Sequence, residues 1–213
     1  RSETRRVCPP DTSPPRGVGR RSGGALIKTG APMQSSSPLP EEYQPGTLVD
    51  LFMDGLARPR ADAARTRNAD GVWTSVSVDE IGARVRAIAL ALRAESFFRG
   101  DRVAILSHTR IEWAVTDWGI IMSGLVSVPV YPVLPADQIG YILADSGAKA
   151  VFVEDQNQLD KVVSLARELP DLRLVVAFEP VEPCSDHGLS VLQLSALEHA
   201  GVEISDDVAI TYE

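Results

Sequence analysis

The apolar positions change period along the chain, and each change predicts an element. Leu48, Leu51, Phe52 and Leu56 share one side of a helix that Thr47 can cap and Pro59 ends. Asn68-Ala69-Asp70-Gly71 then lies between two short segments, a hairpin signal. Ser77-Val78-Asp79-Glu80 has capping-box spacing, and behind it Ile81, Val85, Ile88, Ala89 and Leu92 share one helical face, with Arg84, Arg86 and Arg93 elsewhere. From there strands and helices alternate. The pattern predicts a strand over 102–106, a helix over 112–122, a strand over 126–130, and a helix over 137–145 closed by Gly147. A strand over 149–153, a helix over 158–169 stopped by Pro170, a strand over 172–178, and a helix over 191–199 ended by Gly201 complete the series. Runs such as Ala150-Val151-Phe152-Val153 and Leu174-Val175-Val176-Ala177 are apolar at every position, so they demand cover on both faces. The expected class is α/β: a doubly wound, mostly parallel sheet with helices on both faces.

Residues 1–46 show no such period and are rich in Pro, Gly, Ser and Arg, so they are expected to be a disordered tail ahead of an ordered unit over 47–213. No export signal follows Arg5-Arg6 or Arg20-Arg21. The chain starts with Arg1, while Met33 stands just before Gln34-Ser35-Ser36-Ser37, which makes Met33 a candidate natural start. The net charge of −8 conceals an asymmetry: residues 1–32 hold seven Lys/Arg against Glu3 and Asp11, leaving about −13 on the remainder. A basic cluster confined to such a tail supports no nucleic-acid partner. Cys8 and Cys184 lie far apart in the sequence, one of them in the irregular N-terminal stretch, so no disulfide framework is expected, which fits a reducing cytoplasmic setting. The longest uncharged stretch, Trp118 to Leu134, is interrupted by Pro129 and Pro132 and reads as a buried helix followed by a buried strand rather than a membrane span.

Little chemistry is visible. The turn after the 102–106 strand, Ser107-His108-Thr109-Arg110, has no glycine to let backbone amides approach a phosphate, and no G-x-x-x-x-G-K-[ST] occurs. Gly17-Val18-Gly19-Arg20-Arg21-Ser22 lacks the third glycine and a preceding strand, which argues against a dinucleotide-binding oxidoreductase. Glu154-Asp155 follows a strand as in phosphate-accepting receiver domains, but it has no acidic partners at other strand ends and reads as a solvated loop. Cys184 and His187 have C-x-x-H spacing without a second pair, too few ligands for a closed zinc site. His199 reads as a favourable charge at a helix C-terminus. Arg110, Glu112, Trp113 and Trp118 read as a capped, partly buried amphipathic helix. No catalytic, cofactor-binding or metal-binding residue is assigned.

From Thr47 to Tyr212 the order of segments resembles the opening of the adenylate-forming (AMP-binding) superfamily. The likeness rests on Val76-Ser77-Val78-Asp79-Glu80-Ile81, on Arg99-Gly100-Asp101-Arg102-Val103-Ala104-Ile105-Leu106-Ser107, and on Arg110-Ile111-Glu112-Trp113. Gly124-Leu125-Val126-Ser127-Val128-Pro129-Val130-Tyr131-Pro132 is similar to the family's G-x-V-x-V-P-x-x-P segment. Ile139-Gly140-Tyr141-Ile142-Leu143-Ala144-Asp145-Ser146-Gly147-Ala148-Lys149 is similar to I-x-Y-x-L-x-D-S-x-A-K. Val130-Tyr131-Pro132 and Leu134-Pro135-Ala136-Asp137-Gln138-Ile139 look most like the long-chain fatty acid–CoA ligase branch. Thr109, Ile111 and Ser96 depart from the pattern, where the family favours Asn, Pro and a helix-ending Gly; Ser96 puts the loop 96–99 in doubt.

These matching residues have scaffold roles: Pro129 and Pro132 stop strand extension, Gly124 ends a helix against a strand, and Gly100-Asp101 turns the chain into the 102–106 strand. In the family a strand ending in tyrosine leads into the Ser/Thr/Gly loop that wraps the ATP phosphates, and Val208-Ala209-Ile210-Thr211-Tyr212 looks like that strand. The loop and the later substrate-binding segments would then lie beyond Glu213. The resemblance implies a parent enzyme that uses ATP, Mg²⁺, CoA and a fatty acid, in the cytoplasm or in peripheral contact with a membrane. It also implies that these 213 residues alone are an inactive N-terminal portion. The rivals are another adenylate-forming enzyme, for aryl or amino acids, and a catalytically empty α/β binding module.

Overall fold

The computed structural model describes residues 46–67, 70–182 and 188–204. The expected tail, Cys8, Met33, the turn residues Asn68 and Ala69, Cys184, His187 and the strand expected over 208–212 all lie outside them.

Helix α1 (Leu48–Leu56) starts at a complete capping box: Asp50 N–H donates to the Thr47 hydroxyl at 3.2 Å, and the Asp50 carboxylate accepts from Thr47 N–H at 2.6 Å. Strands β1 (Ala64–Arg67) and β2 (Trp73–Val76) form the expected antiparallel hairpin. Helix α2 (Val78–Ala94) realises only half of its own box. Ser77 accepts from Glu80 N–H at 3.1 Å. On α1 the apolar face is only partly used. Phe52 stacks on Trp118 with ring centroids 4.5 Å apart, whereas Leu48 and Leu51 stay more than half exposed.

Five parallel strands follow: β3 (Arg102–Leu106), β4 (Val126–Val130), β5 (Ala148–Val153), β6 (Leu174–Ala177) and β7 (Ser190–Gln193). Their order is β4-β3-β5-β6-β7. Helix α3 (Ile111–Met122) carries the chain from β3 to β4, and it packs with α2 and α6 (Leu194–Val202) on one face. Helices α4 (Ala136–Ser146) and α5 (Gln156–Ser164) cover the other. Residues alternate between the two cores accordingly. Val103, Ile105, Ala150, Phe152, Leu174 and Val176 face α2, while Ala104, Leu106, Val151, Val153, Val175 and Ala177 face α4 and α5. Helix α2 is buried well beyond its single predicted stripe, from Ala87 through Leu92, because α3 and α6 flank it on both sides.

Several expectations are corrected. The helix predicted over 191–199 is a short strand followed by a helix. Val191, Leu194 and Leu197 recur at a helical spacing, yet Val191 pairs with Val175 in β7. Gly201 does not end α6 but lies within it, where a β-carbon would collide with the Ala87 carbonyl of α2. The helix predicted over 158–169 is α5, started earlier by Asp155, which accepts from Gln158 N–H at 2.9 Å, and followed by a 3₁₀ turn at Ala166–Glu168. Pro129 does not stop β4. It pairs in register with Ile105, and an edge strand tolerates the missing donor. Because β4 is that edge, it is not buried throughout: Val126 is 46% exposed.

Candidate functional site

At the N-terminal ends of the strands, two of the resembling segments hold each other. Gly100, at φ 84°, turns the chain so that Asp101 caps the loop before β3, accepting Phe98 N–H at 2.9 Å and meeting the Lys149 ammonium at 2.8 Å. Arg102 donates from Nε to the Ser146 carbonyl at 2.6 Å and from Nη2 to the Gly147 carbonyl at 3.2 Å, satisfying the last turn of α4. Gly147 closes that helix in the left-handed conformation at φ 60°. Burial pushes the Asp101 carboxyl up, but Lys149, the Phe98 amide and Arg102 outweigh burial and hold it below the usual carboxylate range. Gly100-Asp101-Arg102 and Ser146-Gly147-Ala148-Lys149 are therefore one structural clasp.

At the opposite, C-terminal ends, the chain winds away from β3 in both directions, so the crevice between β3 and β5 is the switch point where α/β sheets bind ligands. Here the protein fills it with its own side chains. Glu154, from the end of β5, accepts His108 N–H at 2.8 Å and lies 2.8 Å from His108 Nδ1. It is the opposite of the solvated loop residue expected from sequence, since its side chain is only 18% exposed. Burial raises its pKa, yet the His108 amide and ring and the Arg110 charge bring it below the ordinary glutamate value. Arg110 binds Glu112 and Glu179 at 2.7 Å each and lies 3.7 Å from Glu154, with its guanidinium 6.0 Å from the Phe178 ring centroid. It joins the start of α3 to the ends of β5 and β6. A phosphate in this crevice would meet the carboxylates of Glu154, Glu112 and Glu179, and no glycine loop offers it amides.

Beside this cluster is a cleft of about 470 Å³ lined by Ser107, His108, Trp113, Pro129, Tyr131 and Pro132, among others. Its outer wall is a stiff turn. Lys161 donates to the Pro132 carbonyl at 2.8 Å and the Leu134 carbonyl at 3.2 Å, which holds Tyr131 and Val133 outward, 76% and 78% exposed. Trp118 packs inward against α1, and His199 sits exposed in the last turn of α6, 3.7 Å from Glu203. Among the described residues no group of three or more His, Cys, Asp or Glu side chains could hold a metal ion. No helix among them is long and apolar enough to cross a membrane. Sequence reasoning missed the His108–Glu154 pair, whose members lie 46 residues apart in different loops; the only available signal was that both follow apolar strands.

The parallel α/β fold is shared with adenylation domains of solved structure. The structure aligns with the didomain of a carboxylic acid reductase from Segniliparus rugosus solved with AMP, at a TM-score of 0.60 and 19% identity, over 74% of this chain and 26% of that one. The chain belongs to the AMP-binding enzyme family, whose pattern it matches over residues 56–212. It is 41% identical over 107 residues to the long-chain-fatty-acid–CoA ligase FadD15 of Mycobacterium bovis, a stretch that is 50% of this chain and 18% of that protein. It is also 30% identical over 126 residues to the uncharacterized protein Rv1549 of Mycobacterium tuberculosis, covering 59% of this chain and 70% of that one, so that relative is itself short.

Proposed function

We propose that the chain is the N-terminal portion of an ATP-dependent long-chain fatty acid–CoA ligase. The observation that carries this reading is the 41% identity to FadD15 over half the chain, well above the 19% to the carboxylic acid reductase domain. In the parent reaction a fatty acid carboxylate attacks the α-phosphorus of Mg·ATP, giving acyl-AMP and pyrophosphate, and the CoA thiol then displaces AMP. Stabilising that transfer requires positive charge and amide donors around the phosphates. The described residues offer neither at the switch point, where Arg110 is already spent on Glu112 and Glu179. The role of this portion is to build the sheet and clasp on which the chemistry of the parent rests. ATP, Mg²⁺, CoA and the fatty acid are then the substrates and cofactor of the parent enzyme.

A second reading is favoured by the short relative Rv1549: a non-catalytic α/β module made from the same opening unit. One experiment separates them. Pyrophosphate release is measured for the 213-residue chain and for a version extended by the coding sequence that follows, each with ATP, Mg²⁺ and palmitate, benzoate or a mixture of amino acids. The chain alone is expected to stay at the enzyme-free baseline and the extended version to respond to palmitate. A response to benzoate or amino acids instead would overturn the long-chain assignment, and pyrophosphate release by the chain alone would overturn the division of labour.

A further inference from the structure

At the end of the sheet opposite the switch point, the first turn of α1, the last turn of α2 and the junction between α3 and β4 surround a cavity of about 780 Å³. Neither the clasp nor the proposed ligase reaction uses it. Its apolar floor belongs to the interior, since Phe97 and Leu125 are 9% and 6% exposed, and Leu48 forms an open apolar rim. Two guanidinium groups reach it. Arg93 comes from the last turn of α2, and the Arg99 stem runs across Gly124, where an added β-carbon would meet Arg99 Cγ at 3.6 Å. Asp50 is the single carboxylate of the lining, and the helix cap takes it up: it accepts the Thr47 N–H at 2.6 Å and the Thr47 hydroxyl at 2.8 Å. Arg93 has no partner among the described residues. The cavity therefore carries a positive balance on a chain whose net charge is −8.

We propose that this cavity binds a free single-chain amphiphile with a carboxylate head, the head on the Arg93 guanidinium and the alkyl chain over Leu48, Phe97 and Leu125. A guanidinium holds a carboxylate through two parallel N–H donors, and its charge does not depend on pH in the working range. Arg99 adds attraction through its charge while keeping its own contacts. The volume falls within the roughly 300–1,000 Å³ of small-molecule sites, and an apolar floor with a few polar groups is their usual composition. A floor recessed behind its rim is within reach of a free chain and out of reach of a flat bilayer, which selects a dissolved amphiphile over a lipid surface. Binding here needs neither ATP nor acyl transfer, so it is independent of the ligase reading.

Decanoate, decyltrimethylammonium and acetate are the probes: an anion with a chain, a cation with the same chain, and an anion without one. Each is titrated into the full 213-residue chain without ATP, below its micelle concentration, while the Leu48 and Gly124 amides and the Arg93 Nε–H are followed by NMR. Decanoate is expected to give saturable shifts at all three and the other two probes none. Arg93→Gln removes the charge from an exposed helix position, its amide spectrum checks the fold, and it is expected to weaken decanoate about tenfold. Binding of decyltrimethylammonium as tight as that of decanoate, an unchanged decanoate affinity in folded Arg93→Gln, or decanoate shifts that avoid these residues would each overturn the proposal. So would capture of the chain by phosphatidylglycerol vesicles with no response to dissolved decanoate, which would make this face a membrane contact. None of these readouts involves pyrophosphate release, so failure here and failure of the ligase reading are told apart.

Discussion

Ser96 is held at φ 59°, where a β-carbon crowds the backbone, while Arg173 donates to the Ser96 carbonyl at 3.0 Å and lies 4.2 Å from the Phe97 ring centroid. The loop that the sequence put in doubt thus forms by keeping the left-handed turn without its glycine. Ser96→Gly removes the crowding at some cost in unfolded-chain entropy and is expected to stabilise the protein by about 0.5–1 kcal/mol. Urea midpoints with an unchanged m-value would measure it, and a loss of stability would refute the strain argument. Asp101 has the converse position. Asp101→Ala strips the Phe98 amide and the Lys149 ammonium of their acceptor, for an expected loss of about 2–3 kcal/mol. Asp101 and Glu154 both sit below their ordinary values, so the stability they contribute is full above the unfolded carboxylate range. It drains away as pH falls through the lower folded values. Acid unfolding of Asp101→Asn should show a shallower pH slope than the parent; an unchanged slope would remove Asp101 from the account.

Helices α2 and α6 meet at Gly201, and α2 meets α3 at Gly119, where an added β-carbon would come within 2.6 Å of Ile88 Cγ2. Gly201→Ala faces the Ala87 backbone carbonyl almost head-on, whereas Gly119→Ala meets the branched base of the buried Ile88 side chain, Cγ2 at 2.6 Å and Cβ at 2.8 Å. The first is expected to cost about 3 kcal/mol and the second less, a ranking that thermal unfolding of the two variants would test. The elements best read from sequence were those with a long period or a terminal signal. Thr47, Ser77 and Gly147 mark ends that the structure keeps, and β3 and β4 have the expected bounds. Strand β7 was illegible because four residues running into an apolar helix carry no alternation, and the three-residue spacing of Val191, Leu194 and Leu197 reads as helix. Pro129 misled because nothing local distinguishes an edge strand from a strand end. The Asp101–Lys149 and His108–Glu154 contacts depend on β3 and β5 being neighbours, which pattern alone does not state.

Among the described residues, large apolar side chains remain open to water: Trp73, Phe98, Tyr131 and Val133 are each more than 60% exposed. A unit that normally packs against further parts of a larger enzyme leaves such surface bare, so the chain is expected to bind a hydrophobic dye more strongly than its extended form does. Equal dye binding by the two forms would favour the self-contained module. The sequence made the α/β class and the family's scaffold segments legible, because these consist of local turn and strand patterns. It left the parent's chemistry out of reach, because no residue with a nucleophilic or phosphate-binding pattern is among those it contains. The central claim, that this is the opening portion of an acyl-CoA ligase, is tested most directly by reading the coding nucleotide sequence beyond codon 213 in all three frames. The account predicts a Thr-Ser-Gly-Thr-Thr-Gly-like loop followed by Pro-Lys-Gly, and a stop codon with no such loop in any frame would contradict it.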